Sequence, residues 1–486
     1  MSVSSIPEPM MGPSAARRGG ALPGLRARAQ RLVAGPAGTS SGWPEGGITR
    51  RVQWTIPFVC LLLYMAVVHS GRLRVGQEAL VLGLLLVPTL AGGIRVPAPL
   101  IWMGALVGWC FVTAALSPFG GQSMDASYEF MKVWLIAFLA ANAIRTREQL
   151  RAFVVIWLGL YALFPVRGTL MNYLAGVSEF GRYKWNFIFE NPNDLATFTL
   201  LQIALCLALL QVERQRWVRT CAILGIGALA FVLVITQSRG GMLALGTLVL
   251  VTMLRQKKRA RNLALFGLAG LLVMATAPEK VFSRLGGLTA LMGGTEALKE
   301  VDKEQSAASR FAIWRVASHI TKQSPVNGVG WGTYADAHLA YQGEVPDIPR
   351  TARGRRDAHG TYMRLAAETG FVGLALFLGV ILSSRRAASR ALKTIRAHYP
   401  GIDGFLLALL VGQLAYLQAA IFGSYAHLPF LYLFTVLIVV TSTLYGRPPA
   451  ALPAAPAGAP APRAFAAPAP APARGRRGGL AVGTWR

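Results

Sequence analysis

Apolar residues recur along the chain in runs near 54–69, 78–94, 99–116, 130–144, 153–170, 195–212, 220–236, 241–254, 263–277, 370–383, 405–422 and 428–444. A bilayer core of roughly 30 Å is crossed by about twenty helical residues. The runs therefore predict an all-α polytopic membrane protein of about 12 transmembrane helices, the shorter ones borrowing flanking residues or tilting. Residues 1–51 and 446–486 lack the pattern. The first is a Gly/Pro/Ala/Arg-rich arm and the second an Ala/Pro tract, and neither has enough apolar surface to offset the entropy of ordering, so both read as disordered. A secretory signal peptide is not expected, because the first apolar run starts only at Trp54, without a small-residue cleavage pattern after it. Spans one to nine then occupy 52–277, and spans ten to twelve occupy 359–445. Between them, 278–358 forms one large loop with an amphipathic stretch (SRFAIWRVASHITKQ), an N-G-V-G-W-G cluster and the basic residues Arg350, Arg353, Arg355 and Arg356.

Charge sets the orientation. Basic residues crowd the loops around Arg145–Arg151, Arg214–Arg219, Arg255–Arg261 and Arg385–Arg396, whereas the alternate loops hold only Arg72, Arg74, Arg182, Lys184 and Arg239. The positive-inside bias puts the crowded loops and both termini in the cytoplasm and the large loop in the periplasm of a bacterial inner membrane. Only the first hairpin, with Arg72 and Arg74 outside, runs against the bias.

Composition sharpens this picture. Hydrophobic residues make up 53% of the chain and charged ones 14%, which excludes a soluble globular domain. The net charge of +28 would in a soluble protein point to nucleic acid; here much of it lies in the tails and cytoplasmic loops, where it meets anionic lipid headgroups. No nucleic-acid partner is expected. Cys60, Cys110, Cys206 and Cys221 sit in apolar runs without metal-ligand spacing, so neither a disulfide framework nor a metal site is expected.

Four stretches carry candidate chemistry, and on this topology all lie near one membrane face. In FENPNDLA (189–196), Asn191, Asn193 and Asp194 can cap a helix, with Pro192 pre-setting its start; Asn191 and Asn193 stay open as donors to sugar hydroxyls or phosphate. In TQSRGGM (236–242), Arg239 either snorkels to headgroups or, with the amides of Gly240 and Gly241 at a helix N-terminus, faces an anion; the two glycines favour the anion. In SRFAIW (309–314), Ser309 reads as a helix cap and Arg310 shares a helical face with Trp314, a pairing that taken alone is structural. In DAHGTYMRLAAETGFVG (357–373), Asp357 reads as an N-cap, placing His359 in a first helical turn where the dipole, Arg355 and Arg356 disfavour the imidazolium. A neutral imidazole can take a proton from a hydroxyl. Glu368, nine residues on, reads as a structural polar group, and the acidic run 299–305 as a solvated face. Motifs for nucleotide phosphates, zinc proteolysis and serine hydrolysis are absent from the sequence.

In combination, F-x-N-P-N-x-L-A, S-R-G-G, S-R-x-x-x-W followed by P-x-x-G-V-G-W-G, and His-x(10)-Gly-x-x-Gly resemble the O-antigen ligase and Wzy-type polymerase superfamily over about residues 180–383. The resemblance implies a membrane glycosyltransferase moving a glycan from an undecaprenyl-diphosphate carrier to an acceptor hydroxyl at the periplasmic face, with no cofactor and no required metal. It implies catalytic roles for Arg239, Arg310 and His359. Around them, Asn191, Asn193, Gly240, Gly241 and Arg356 are candidate substrate contacts, and Trp331, Tyr334 and Tyr362 candidate faces for sugars. The implied partners are the lipid-linked glycan, an acceptor glycolipid, glycan or protein hydroxyl, and membrane lipids. The chain departs from the ligase pattern at Gly360, where Asn, Ser or Gln usually follows the histidine, and this bears on assignment to the lipopolysaccharide ligase branch. The alternative is a polytopic transporter or flippase of anionic lipid-linked glycans, which would show two related halves and midplane binding residues; neither is evident in the sequence.

Overall fold

The computed structural model describes residues 42–45, 47–49, 51–71, 75–179, 181–185, 189, 191–255 and 306–449. The two expected disordered tails (but for residues 42–45, 47–49, 51 and 446–449), Arg72, Arg74, the ninth apolar run and the acidic run 299–305 lie outside these residues.

Among the described residues the fold is helical throughout, with no strand: α1 (Ile56–Ser70), α2 (Gly76–Leu85), α3 (Ala98–Leu116), α4 (Gly120–Ala143), α5 (Arg147–Tyr161), α6 (Arg167–Leu174), α7 (Pro192–Val212), α8 (Arg216–Ile235), α9 (Arg239–Leu254), α10 (Ser306–Gln323), α11 (Tyr334–Tyr341), α12 (Thr361–His398), α13 (Ile402–Ala419) and α14 (Pro429–Tyr445). Proline opens α1, α3, α7 and α14, where its missing N–H lacks a helical acceptor in any case. A capping box between Thr146 and Gln149 starts α5. Among the described residues, six helices are long and apolar enough to cross a membrane: Ala98–Leu116, Arg147–Leu174, Pro192–Val212, Arg216–Ile235, Thr361–His398 and Ile402–Ala419. Ile56–Ser70, Gly76–Leu85, Arg239–Leu254 and Pro429–Tyr445 are apolar but shorter. The run expected at 153–170 belongs to a longer element. It starts at Arg147 and passes through a π turn, Ala162–Val166, into α6, because Pro165 cannot donate to the helical ladder.

Two helices form the centre. Most of α7 and α14 is buried along their whole circumference, as their nearly uninterrupted apolar sequences require. Phe198 of α7 stacks on Phe430 of α14 with ring centroids 3.7 Å apart, and Tyr161, Phe189 and His69 pack around that pair. Polar groups gather at the bundle's two ends. At one, Arg147 donates to Tyr399 Oη at 2.9 Å, while buried Arg151 meets buried Glu213 through two bonds of 2.8 and 3.1 Å, with the Trp43 indole on the same carboxylate. The other end carries the starts of α7, α9 and α12.

The described part of the large loop has its own small core. Ile313, Val316 and Ile320 of α10 pack with Val329, Tyr334, Ala337 and Ile348. This core docks on a break in α12. Gly370 takes φ 65° and ψ −172°, so α12 is two helices meeting at that residue. Carbonyls released by the break accept from the glycine cluster: Val329 donates to Ala367 at 3.0 Å and Gly330 to Glu368 at 2.8 Å, while the Phe371 amide reaches Pro325 at 2.8 Å. A Cβ on Gly370 would sit 2.0 Å from the Val326 carbonyl oxygen, and one on Gly328 2.4 Å from the Glu368 carbonyl carbon. The N-G-V-G-W-G cluster and the Gly-x-x-Gly pair are thus two halves of one joint.

Candidate functional site

His359 lies before α12, whose cap is Gly360, so it is not in a first helical turn. Asp357 correspondingly does not cap the helix. Its Oδ2 accepts the His359 amide at 3.0 Å and the Ser424 hydroxyl at 2.8 Å, while Oδ1 lies 3.3 Å from Arg364 Nη1. The short side chain satisfies a nearer donor first, and the histidine takes the left-handed conformation, φ 46°. That conformation is uncommon for a residue with a Cβ. It is held from both sides, by the Trp314 indole donating to Ala358 O at 2.9 Å and by the Thr361 amide donating to Ala420 O at 2.9 Å.

The imidazole is half-buried, with Nδ1 3.5 Å from Asp357 Oδ2. Burial lowers its pKa below the ordinary histidine value; Asp357 opposes this, while Arg310 and Arg356 add to the lowering. Arg355, expected to contribute, pairs instead with Asp336 at 2.9 Å. Burial by itself raises the Asp357 carboxyl. Arg364, His359, the Ser424 hydroxyl and the His359 amide outweigh it and hold Asp357 below the usual aspartate range. Behind this pair, Arg364 Nε donates to fully buried Glu368 at 2.9 Å, and the Tyr334 amide donates to the same oxygen at 3.0 Å. Glu368 is therefore linked to His359 through Arg364 and Asp357, across the two turns that separate them in sequence.

The other stretches arrive through the turn between α13 and α14, residues 420–428. A Cβ on Gly240 would lie 3.2 Å from Phe422 Cβ, and one on Gly360 would lie 3.1 Å from both Ile421 O and Trp314 Nε1. Consecutive residues of one turn thus touch the start of α9, next to Arg239, and the residue after His359. Crowding also explains Gly360, since the polar side chain that usually follows the histidine would press on Trp314. The buried Tyr425 phenol is raised by burial and lies within the influence of Asp194, Arg310 and Asp357. The structure therefore brings the starts of α7, α9 and α12 and the Arg310 segment around one turn.

Several sequence expectations need correction. Ser309 is not a cap, because α10 is already helical at Ser306; its hydroxyl pairs with Thr351 at 2.6 Å. Gly241 cannot offer its amide to an anion: it is buried against Ala196 and donates to the capping Ser238 Oγ at 3.2 Å. Asn191 is the cap of α7, its side-chain oxygen taking the Asn193 amide at 2.9 Å, and the Asn193 oxygen takes Arg182 Nη2 at 2.6 Å. What each asparagine retains for a ligand is its amide nitrogen. Trp331 and Tyr334 are not sugar platforms. Trp331 is 4% exposed and packs on Phe130, and Tyr334 is 1% exposed with its hydroxyl on Ile313 O. Tyr362 is half-buried and donates to Leu417 O at 2.9 Å. Arg356 is exposed, its Nε on Arg353 O.

The sequence reading missed the turn 420–428 and Arg364. The available signals were Gly423-Ser424-Tyr425, a polar insertion between two apolar runs, and the i,i+4 spacing of Arg364 and Glu368. Among the described residues no three His, Cys, Asp or Glu side chains gather as metal ligands would.

Compared with known proteins, residues 224–378 match the family model described as O-Antigen ligase (Wzy_C), a stretch that includes Arg239, Arg310 and His359. No curated protein matches the chain.

Proposed function

We propose that this chain, a member of the O-antigen ligase/Wzy superfamily, transfers a glycan from an undecaprenyl-diphosphate carrier to an acceptor hydroxyl at the periplasmic face. The observation that carries this reading is the single locus around residues 420–428, where a histidine with depressed basicity and two arginine-bearing segments meet. Cleavage of the sugar–diphosphate bond builds negative charge on the departing lipid diphosphate. Arg239, at the first turn of α9, and Arg310 supply fixed guanidinium groups for it, helped by the positive end of the α9 dipole. His359, neutral at pH 7, takes the proton from the acceptor hydroxyl as that oxygen attacks the anomeric carbon. Attack opposite the diphosphate inverts the anomeric configuration. Asp357 holds the ring in place and stabilises the imidazolium that forms, as a carboxylate beside a catalytic histidine does.

The test is purified protein in proteoliposomes with undecaprenyl-diphosphate glycan and a panel of acceptors: lipid A–core, a second lipid-linked glycan and a hydroxyl-bearing protein. Transfer to one acceptor class by the wild type, and its loss in His359→Ala of unchanged thermal stability, is the expected result. Full transfer by His359→Ala rules out the assignment of the base. Vectorial movement of lipid-linked glycan with no new glycosidic bond rules out the enzyme reading.

A further inference from the structure

Beside the locus just described lies a groove of about 460 Å³, lined by one face of α10 together with Glu344–Pro346 and Met363. Trp314 belongs both to this groove and to the His359 segment, since its indole N–H is fixed on Ala358 O and its ring lies against Gly360. On a helix advancing about 100° per residue, Trp314 lies roughly 40° from Arg310, whereas Phe311, Ser318, Lys322 and Arg315 fan from roughly 80° to 140° on the same side. Arg310 and the groove therefore flank Trp314, with His359 at its inner edge.

The lining has two kinds of surface. Phe311, 48% exposed, meets Trp314 edge to face at 5.6 Å and gives an apolar platform open to solvent. Opposite it, His319 Nε2 and Glu344 Oε2 are 2.8 Å apart, Gln323 Nε2 donates to the same Glu344 oxygen at 2.8 Å, and Lys322 and Arg315 stand alongside. Arg315 also braces the rim by donating to Pro346 O. Aromatic faces that cover C–H surfaces, set against planar acceptors and donors that match hydroxyl groups, are the complement of a pyranose ring. A lipid tail would find charge on one wall, and a bare phosphate would meet Glu344.

We infer that this groove is a saccharide-binding subsite, holding the sugar that presents the attacking hydroxyl, with the exposed Phe311 ring under the pyranose, Trp314 at its side and Glu344 and His319 on its hydroxyls. The inference rests on the glycosyl-transfer reading for the role of the sugar, though not for its binding. It puts the acceptor sugar beside Trp314, next to the His359 segment on which the indole is fixed.

Binding is measured by saturation-transfer-difference NMR on the full chain in detergent. The probes are core oligosaccharide released from lipopolysaccharide by mild acid and a neutral linear glucan of comparable length. Saturation should reach ring protons of at least one saccharide in the wild type and in His359→Ala. It should weaken at least fivefold in Phe311→Ala and in Glu344→Gln, and persist in Phe371→Ala, which removes an exposed aromatic outside the groove. No transfer to either saccharide, undiminished transfer in both groove variants, or a signal abolished by anionic phospholipid and insensitive to excess unlabelled sugar each overturns the inference. In the proteoliposome assay, Phe311→Ala should raise the acceptor KM roughly fivefold to tenfold and leave the donor KM unchanged. Saccharide binding by a wild type that forms no glycosidic bond would sink the transferase reading and leave the groove standing; an unchanged acceptor KM in Phe311→Ala would do the reverse.

Discussion

The side chain of Asp357 holds His359 twice, accepting the histidine's own amide at 3.0 Å and standing 3.5 Å from its Nδ1. One carboxylate thereby fixes both the left-handed backbone of the histidine and the electrostatics of its ring.

That double role has a pH signature. Burial, Arg310 and Arg356 lower the His359 pKa while Asp357 raises it. The neutral ring is the working form, so activity should rise with pH through a midpoint below the ordinary histidine value of about 6.5. In Asp357→Asn the opposing charge is gone, and the acid limb of kcat/KM should move further down while kcat falls. A pH–rate profile of the two proteins checks this, and an acid limb that moves up instead would contradict the assignment.

Charge stabilisation by arginine predicts a different pattern. Arg310→Ala and Arg239→Ala should each reduce kcat by roughly a hundredfold to a thousandfold with smaller effects on the acceptor KM. Lysine at either position should recover only part of the loss, because a point charge does not reproduce the planar fork. Single-turnover rates with a fixed donor separate this from weaker binding.

The Arg364 network should behave as a structural unit. Glu368 is completely buried and accepts from Arg364 and from the Tyr334 amide. Arg364→Ala leaves that carboxylate without its cation, at a cost on the order of 3–5 kcal/mol. A marked loss of thermal stability in detergent is expected, with a milder one for Arg364→Lys.

At the break in α12, alanine should be damaging. Gly370→Ala places a Cβ 2.0 Å from Val326 O at φ 65° and ψ −172°, an essentially glycine-only region where the backbone term alone costs about 1–3 kcal/mol. Gly121→Ala, whose Cβ would meet nothing within 4 Å, is the matched control. Thermal unfolding should separate the two, and limited proteolysis of Gly370→Ala should cut first in the large loop, which docks on the break.

Trp331→Ala should lower stability and leave the acceptor KM unchanged, because Trp331 is packed against Phe130 in the core and does not face a ligand. An acceptor titration beside a melting curve decides between the two.

The sequence by itself determined the helical membrane architecture, because a bilayer demands long apolar runs whose backbone bonds close locally, and such runs are countable. It also showed motifs around Arg239, Arg310 and His359 that resemble one family's, and the family match at residues 224–378 spans all three. The partners of those residues were settled only by tertiary structure. Asp357 read as a helix cap, and folding gave it Ser424, 67 residues away, and Arg364 as partners instead. Trp331 and Tyr334 read as faces for sugars because they lie in a polar loop, yet Trp331 enters the main helical core against Phe130 and Tyr334 is buried in the loop's own core. The N-G-V-G-W-G cluster and the Gly-x-x-Gly pair stand in the sequence as separate pieces of a pattern. Their common reason, one backbone joint at Gly370, exists only once residues 325–332 and 367–371 are side by side. Period and composition are local properties of the chain, whereas who neutralises a buried charge, or who fills the space beside a glycine, is set by contacts between distant segments.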